Sequence, residues 1–151
     1  MNGSEIDKIK RFLSEKRKIV IIPHKNPDGD AIGSSTALKY YLDNFNHNVA
    51  IISPNQFPEF LKWMDPCNVI NIFDEDEKCV QKIIDAELIF TLDFNNLVRI
   101  AGMKEYVEKS KAKIIMIDHH EEPSNYADFM YSEPNMSSTC EMIYHFIDKM
   151  G

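Results

Sequence analysis

The sequence predicts an α/β fold, an open and mainly parallel sheet of about five strands with helices on both faces. Three observations carry that prediction. Apolar runs of buried-strand length recur along the chain, among them Lys18–Pro23, Leu88–Leu92 and residues 113–117. Segments of helical period alternate with those runs instead of clustering at one end. Right-handed crossovers then bring the C-terminal ends of the strands to one edge, and those ends are where the acidic and histidine residues gather.

Residues 4–14 carry Ile6, Ile9, Phe12 and Leu13 at helical spacing, with Ser4 as the expected N-cap and Asp7 three residues on. Lys18–Pro23 is the first strand. A helix follows over residues 31–45, its inner face formed by Leu38, Tyr41, Leu42 and Phe45. Residues 48–52 are a second strand, and residues 58–64 a short helix with Pro58 in its first turn. Trp63, the one tryptophan, reads as a packing anchor there, with a substrate platform as the alternative. Residues 69–73 are a third strand, followed by a helix capped by Asp74 that turns Cys79, Val80, Ile83 and Ile84 inward.

Leu88–Leu92 is a fourth strand and delivers Asp93. Residues 97–110 hold one helix or two, interrupted near Gly102. Residues 113–117 form the fifth strand and deliver Asp118, His119 and His120, and Phe129–Ser132 is a candidate short sixth. Ser138-x-x-Glu141 is a capping box opening a last helix whose inner face is Cys140, Ile143, Tyr144 and Ile147. No repeat, low-complexity segment or interdomain linker interrupts the chain.

With 151 residues, 44% of them hydrophobic, the chain can bury one ordinary core. The net charge of −7 excludes the basic footprint that long duplex nucleic acid requires. Small anionic substrates remain compatible, because bound cations reverse the local sign of a site. Cys67, Cys79 and Cys140 form no CxxC pair and are expected to be small buried hydrophobes in a reducing compartment. The polar start MNGSEIDKIK and the absence of any membrane-length apolar run lead us to expect a cytoplasmic protein with no membrane partner.

Seven residues should converge at the sheet edge: His24, Asp28, Asp30, Asp93, Asp118, His119 and His120. Four carboxylates drawn into one crevice repel each other unless a cation sits among them. Imidazoles and carboxylates without thiolates favour manganese or magnesium over zinc. More than four donors invite two ions and a bridging carboxylate, the usual device for phosphate-ester hydrolysis, with ions about 3.5–4 Å apart. Gly29 lets Asp28 and Asp30 both aim inward, and free N–H groups of the following helix would add an anion site. Each feature also has an ordinary reading. An Asp-Gly-Asp turn caps helices, an aspartate ending a strand caps the next helix, and paired histidines occur in loops. His47 and His145 fall outside the cluster and are expected to be surface or capping residues.

Asp118-His119-His120 after a buried strand, with His24-Lys-Asn-Pro-Asp28-Gly-Asp30-Ala-Ile-Gly33-Ser upstream and Asp93 after LIFTL, closely resembles the DHH phosphoesterase superfamily. The resemblance implies a Rossmann-like DHH domain running from Lys18 to the last helix. Manganese-dependent pyrophosphatases share the His-Lys-Asn-Pro-Asp opening but continue Thr-Asp-Ser, and RecJ-type exonucleases lack the His-x-Asn-Pro portion. The PDGDAIGS form and the stretch from Asp93 to Arg99-Ile are most similar to the bifunctional oligoribonuclease and pAp phosphatase branch (nanoRNases). Cyclic di-AMP phosphodiesterases share these motifs.

The resemblance implies His24, Asp28 and Asp93 on one Mn2+ (or Mg2+) ion and Asp30, Asp93 and His119 on a second. Asp118 would orient the histidines, His120 would face the scissile phosphate, and Arg99 would contact substrate phosphate. The implied substrates are short single-stranded RNA or nucleotides, with a homodimer possible. The family's fourth motif and its C-terminal substrate-binding domain do not fit within residues 1–151. The chain is therefore expected to be an incomplete DHH domain. The rival expectation is a non-catalytic nucleotide- or partner-binding module, or an inactive fragment.

Overall fold

The computed structural model describes residues 1–65 and 67–151. Six parallel strands form one sheet: β1 (Lys18–Pro23), β2 (Asn48–Ser53), β3 (Ile70–Ile72), β4 (Leu88–Leu92), β5 (Lys113–Asp118) and β6 (Phe129–Ser132). Their order is β3-β2-β1-β4-β5-β6, so the expected five strands become six, with Phe129–Ser132 paired in register to β5. The chain builds outward from β1 in one direction, returns, and builds outward in the other. The reversal falls between β1 and β4, and open sheets of this kind bind ligands at that crevice.

Alternation along the strands divides the core in two. Ile19 and Ile21 of β1 face α1 (Gly3–Phe12), α2 (Gly29–Asp43) and α5 (Thr139–Met150) through Ile9, Leu38, Leu42, Ile143 and Phe146. Val20 and Ile22 face α3 (Lys78–Ile84), the 3-10 helix Leu97–Met103 and α4 (Lys104–Lys109) through Cys79, Ile83, Ile100, Met103 and Val107. The break between those last two helices, expected near Gly102, lies at Ile100 and Ala101, the latter at φ 48°.

Several local expectations are corrected. The cap of α1 is Asn2, not Ser4: its side chain accepts from Glu5 N–H while Glu5 reaches back to the Asn2 N–H. Glutamate has the length for that return bond, which Asp7 lacks. Helix α2 begins at Gly29, because Asp28 caps it, and ends before Phe45, which is half exposed. Asp74 caps nothing; α3 starts at Lys78, whose N–H bonds Asp76 Oδ1, and Ile84 lies outside the inner pair Cys79 and Ile83.

On α5 the inner face is Thr139, Met142, Ile143 and Phe146, and Tyr144 points to solvent. Half of its capping box forms, since Ser138 accepts from Glu141 N–H while the Glu141 carboxylate binds Ser137. Cys79 is buried as expected, but Cys67 is exposed and Cys140 only half-buried. His47 is buried, its Nδ1 accepting from Arg17 N–H, whereas His145 lies at the surface beside Glu141.

Trp63 is not a packing anchor. It is 74% exposed, on the 3-10 helix Glu59–Met64. With three residues per turn, the inward stripe of such a helix is one residue in three, and Leu61 and Met64 occupy it. Among the described residues no helix is long and apolar enough to cross a membrane.

Candidate metal centre

Asp93 is the hinge of the site. It follows β4 at φ 67°, a left-handed conformation that aspartate tolerates better than most residues, and its N–H is held by the Ile117 carbonyl. The carboxylate is almost fully buried. Oδ2 lies 3.6 Å from His24 Nε2 and Oδ1 lies 3.6 Å from His119 Nε2. One aspartate thus faces two histidines that arrive from different strands, one oxygen to each.

Around the first oxygen, His24 Nε2 is also 3.9 Å from Asp28 Oδ1. Around the second, His119 Nε2 is 3.7 Å from Asp30 Oδ2, and His120 Nδ1 is 4.0 Å from Asp93 Oδ1. Two groups of three donors could each hold an ion, His24–Asp28–Asp93 and Asp93–His119–His120, with Asp93 common to both. These separations exceed hydrogen-bond lengths. They match donors that each sit about 2.1 Å from a shared ion, which leaves neighbouring ligands about 3–4 Å apart.

The histidines are set for that role by their second nitrogens. His24 Nδ1 meets the Lys25 carbonyl at 2.8 Å, and His119 Nδ1 meets the Met136 carbonyl at 3.3 Å. A carbonyl can only accept, so each Nδ1 carries the proton and each Nε2 keeps its lone pair for the crevice. His120 Nδ1 is held at 2.6 Å by Asp118 Oδ1, which leaves its Nε2 free. Asp118 is fully buried, and its Oδ2 has no hydrogen-bond partner among the described residues. An orphaned carboxylate oxygen on the residue that holds His120 is what a site short of positive charge looks like.

Burial alone would push the His24 pKa down. Its interaction with Asp93, the Lys25 carbonyl and the nearby Asp28 and Asp93 charges outweigh burial and raise it above the ordinary value. Burial likewise opposes ionisation of Asp93, but His24 and Thr139 hold its carboxyl below the usual range. The donor set therefore fits a hard or borderline cation. Thiolate does not compete: burial and Asp30 push the Cys140 thiol up to about 12.

Seven of the eight expected residues are brought together. Arg99 is not among them. It sits exposed on the 3-10 helix Leu97–Met103, where its backbone carbonyl, not its side chain, receives Lys25 N–H at 2.7 Å. The expected anion site at the start of α2 is also overturned, because Asp28 Oδ1 already accepts from Asp30 N–H and Ala31 N–H.

One participant escaped the sequence reading. Thr139 donates its hydroxyl to Asp93 Oδ1 at 2.9 Å, while Thr139 N–H and Cys140 N–H bind the two oxygens of Asp30 at 2.7 and 2.8 Å. The first turn of α5 is thus a clamp on two candidate ligands. A threonine just inside a capping box is the only sequence trace of it. Gly33 makes room for this junction, since a Cβ there would meet Met64 Cε at 2.9 Å and Cys140 Sγ at 3.0 Å.

The DHH family, N-terminal domain, matches residues 18–151. An exopolyphosphatase-related protein from Bacteroides fragilis superposes with a TM-score of 0.95 at 40% identity, over 99% of this chain and 44% of that one. A probable bifunctional oligoribonuclease and PAP phosphatase of Streptococcus mutans is 29% identical over 85% of this chain and 37% of its own length. The exonuclease RecJ bound to manganese shares the fold with a TM-score of 0.54 at 14% identity, over 99% of this chain and 37% of that one. The chain thus spans less than half the length of each of these proteins.

Proposed function

Since this chain belongs to the DHH family of phosphoesterases, we propose that it carries the metal-holding part of an enzyme that releases 5′-mononucleotides from very short oligoribonucleotides or removes the 3′-phosphate of pAp. The observation that carries this reading is Asp93, which turns one carboxylate oxygen toward His24 and the other toward His119. The name of the Streptococcus mutans relative supports the substrate class, and the manganese of RecJ supports the metal.

In this reading His24, Asp28 and Asp93 hold one Mn2+ ion, and Asp30, Asp93 and His119 hold a second. When bound, the pair supplies a nucleophile at neutral pH and neutralises charge on the phosphoryl oxygens. The chain's own residues do the rest. Lys25 and Met136 carbonyls fix the histidine tautomers. Asp118 accepts the proton on His120 Nδ1 and so turns His120 Nε2 toward the substrate, where its lone pair accepts a proton and the resulting imidazolium donates it to the leaving oxygen. Thr139 and the α5 N–H groups keep Asp93 and Asp30 from swinging out of place. Arg99, exposed beside the His24 loop, is assigned to substrate phosphate. The acidic net charge suits short substrates, which need no basic channel.

The test measures nucleotide release from two- to five-base RNA, and phosphate release from pAp, with Mn2+. It runs on this chain and on a version extended at its C-terminus, each with Asp93→Asn as control. Asparagine accepts the left-handed backbone, so the variant removes charge without breaking the turn. Activity lost in Asp93→Asn is expected. Mn2+ bound with no hydrolysis by either version would overturn the enzymatic reading in favour of a binding module.

A further inference from the structure

The 3-10 helix Glu59–Met64 has three residues per turn, so its side chains fall on three ridges. One ridge, Leu61 and Met64, is turned toward α2: Leu61 is buried, its Cδ2 lying 3.8 Å from where a Gly29 Cβ would stand, and Met64 Cε lies 2.9 Å from the same point on Gly33. A second ridge is a self-contained ion pair, Glu59 with Lys62 at 2.7 Å. The third is Phe60 and Trp63, each 74% exposed. Tyr40, 44% exposed, lies on α2 seven residues beyond Gly33.

Fixing two large aromatic rings in water on an anchored helix is an unusual use of a small chain's apolar residues. The helix is well anchored. Just beyond it the buried Asp65 carboxylate accepts from Val69 N–H and Ile70 N–H. Its contact with α2 falls at Gly29, which stands between Asp28 and Asp30. Trp63 is two residues from Leu61, about 4 Å along the helix axis. The aromatic ridge therefore stands on a helix whose neighbouring ridge packs beside Gly29, between the candidate ligands Asp28 and Asp30, and it carries no charge of its own that would repel a polyanion.

We propose that Phe60 and Trp63 form a stacking platform for the unpaired bases of a short single-stranded oligonucleotide whose phosphate lies at the metal centre. This assignment rests on the phosphoesterase reading above. Aromatic rings bind unpaired bases without regard to sequence, which suits an enzyme that takes mixed short fragments.

Trp63 is the only tryptophan, so its fluorescence reports the platform directly. The titrant is a three-adenosine oligoribonucleotide with hydrolysis-resistant phosphorothioate linkages, in Mg2+ to avoid paramagnetic quenching. Saturable quenching is expected, with none from pyrophosphate or from an abasic ribose-phosphate oligomer of equal length. In the hydrolysis assay Phe60→Ala and Trp63→Ala should each raise KM for that trinucleotide's cleavable form about tenfold with kcat held. Trp63→Phe should restore KM. Both positions are exposed, so circular dichroism should show all variants folded.

Equal quenching by the abasic oligomer overturns the platform, and so does a KM unmoved by the alanine variants. A dimer that the alanine variants convert to monomer, with KM unchanged, assigns the ridge to self-association and overturns it too. If the wild type binds and quenches but hydrolyses nothing, the phosphoesterase reading fails and the platform stands. If it hydrolyses and the variants match it, the platform alone fails.

Discussion

Thr139 reaches across 46 positions of sequence to donate its hydroxyl to Asp93 Oδ1 at 2.9 Å. The same residue's N–H binds Asp30 Oδ2 at 2.7 Å. The last helix thus closes the crevice that the first and fourth strands open. It does so at the point where negative charge is concentrated and where a helix N-terminus favours it. Loss of this helix's first turn would release both carboxylates together.

Replacing Thr139 with valine keeps its shape and its backbone bond to Asp30, and deletes only the hydroxyl. Outer partners of metal ligands are typically worth 10–100-fold in affinity or activity. Thr139→Val should therefore weaken Mn2+ binding by about tenfold in calorimetry, and Thr139→Ser should not. The lost bond to a buried carboxylate should also lower metal-free stability by about 1–3 kcal/mol in urea unfolding. Unchanged Mn2+ affinity in the valine variant would show that Asp93 needs no clamp.

Asp118 gives the opposite expectation for stability. Its Oδ1 holds His120, and its Oδ2 is buried with no partner among the described residues. An anion so placed costs folding free energy that a neutral amide of the same shape costs less. Asp118→Asn should leave the metal-free protein at least as stable as wild type, while activity falls by roughly 10–100-fold because His120 loses its orienting charge. Urea midpoints in EDTA and turnover with Mn2+ check the two halves. A large drop in metal-free stability would mean that Asp118 holds the fold and not the site.

Much of this site was legible because strand ends are legible. Three apolar runs ended in ligand-type residues, and a parallel sheet puts such ends on one edge. Register and strand order then did what short-range patterns cannot, placing β1 beside β4 so that His24 meets Asp93. Thr139 was illegible because its role comes from a contact between segments far apart in sequence. Arg99 stands outside the cluster, its backbone carbonyl meeting the His24 loop at Lys25 N–H while its side chain is exposed. The helix-period rules assigned Tyr144 and Ile84 to inner faces, yet α5 is rotated to bring Thr139 to Asp93, and α3 buries only Cys79 and Ile83. Trp63 failed for a simpler reason. A large aromatic ring was expected to be buried, but on a helix of three residues per turn Leu61 and Met64 take the inward stripe.

The cysteines should separate cleanly by chemistry. Burial and the adjacent Asp30 push the Cys140 thiol up to about 12, and burial raises that of Cys79, while Cys67 is exposed. Thiolate is the reactive form. Iodoacetamide at pH 8 should label Cys67 alone, as read by peptide mass, and denaturation should release the other two. Labelling of Cys140 at a comparable rate in the native protein would mean that the α2–α5 junction opens in solution.

His47 gives a stability-versus-pH prediction away from the metal centre. It is buried, its Nδ1 accepts from Arg17 N–H, and both burial and the Arg17 charge hold its pKa below the ordinary histidine value. A group whose folded pKa is depressed below its unfolded one contributes stability above the unfolded value, about 6.5. That contribution is lost as pH falls toward the folded pKa, because the unfolded chain takes the proton first. His24 works in the other sense: its raised pKa gives stability at low pH that disappears as pH rises through it. The raw pH profile therefore mixes the two, and a difference between proteins is needed. His47→Asn places an amide oxygen near the position of Nδ1 and cannot titrate. It should be less stable than wild type at pH 7.5, through lost packing, yet lose less stability between pH 7.5 and pH 5.0. Urea midpoints of both proteins at the two pH values, in EDTA, give the double difference. If both lose the same amount, the neutral burial of His47 does not couple folding to protons.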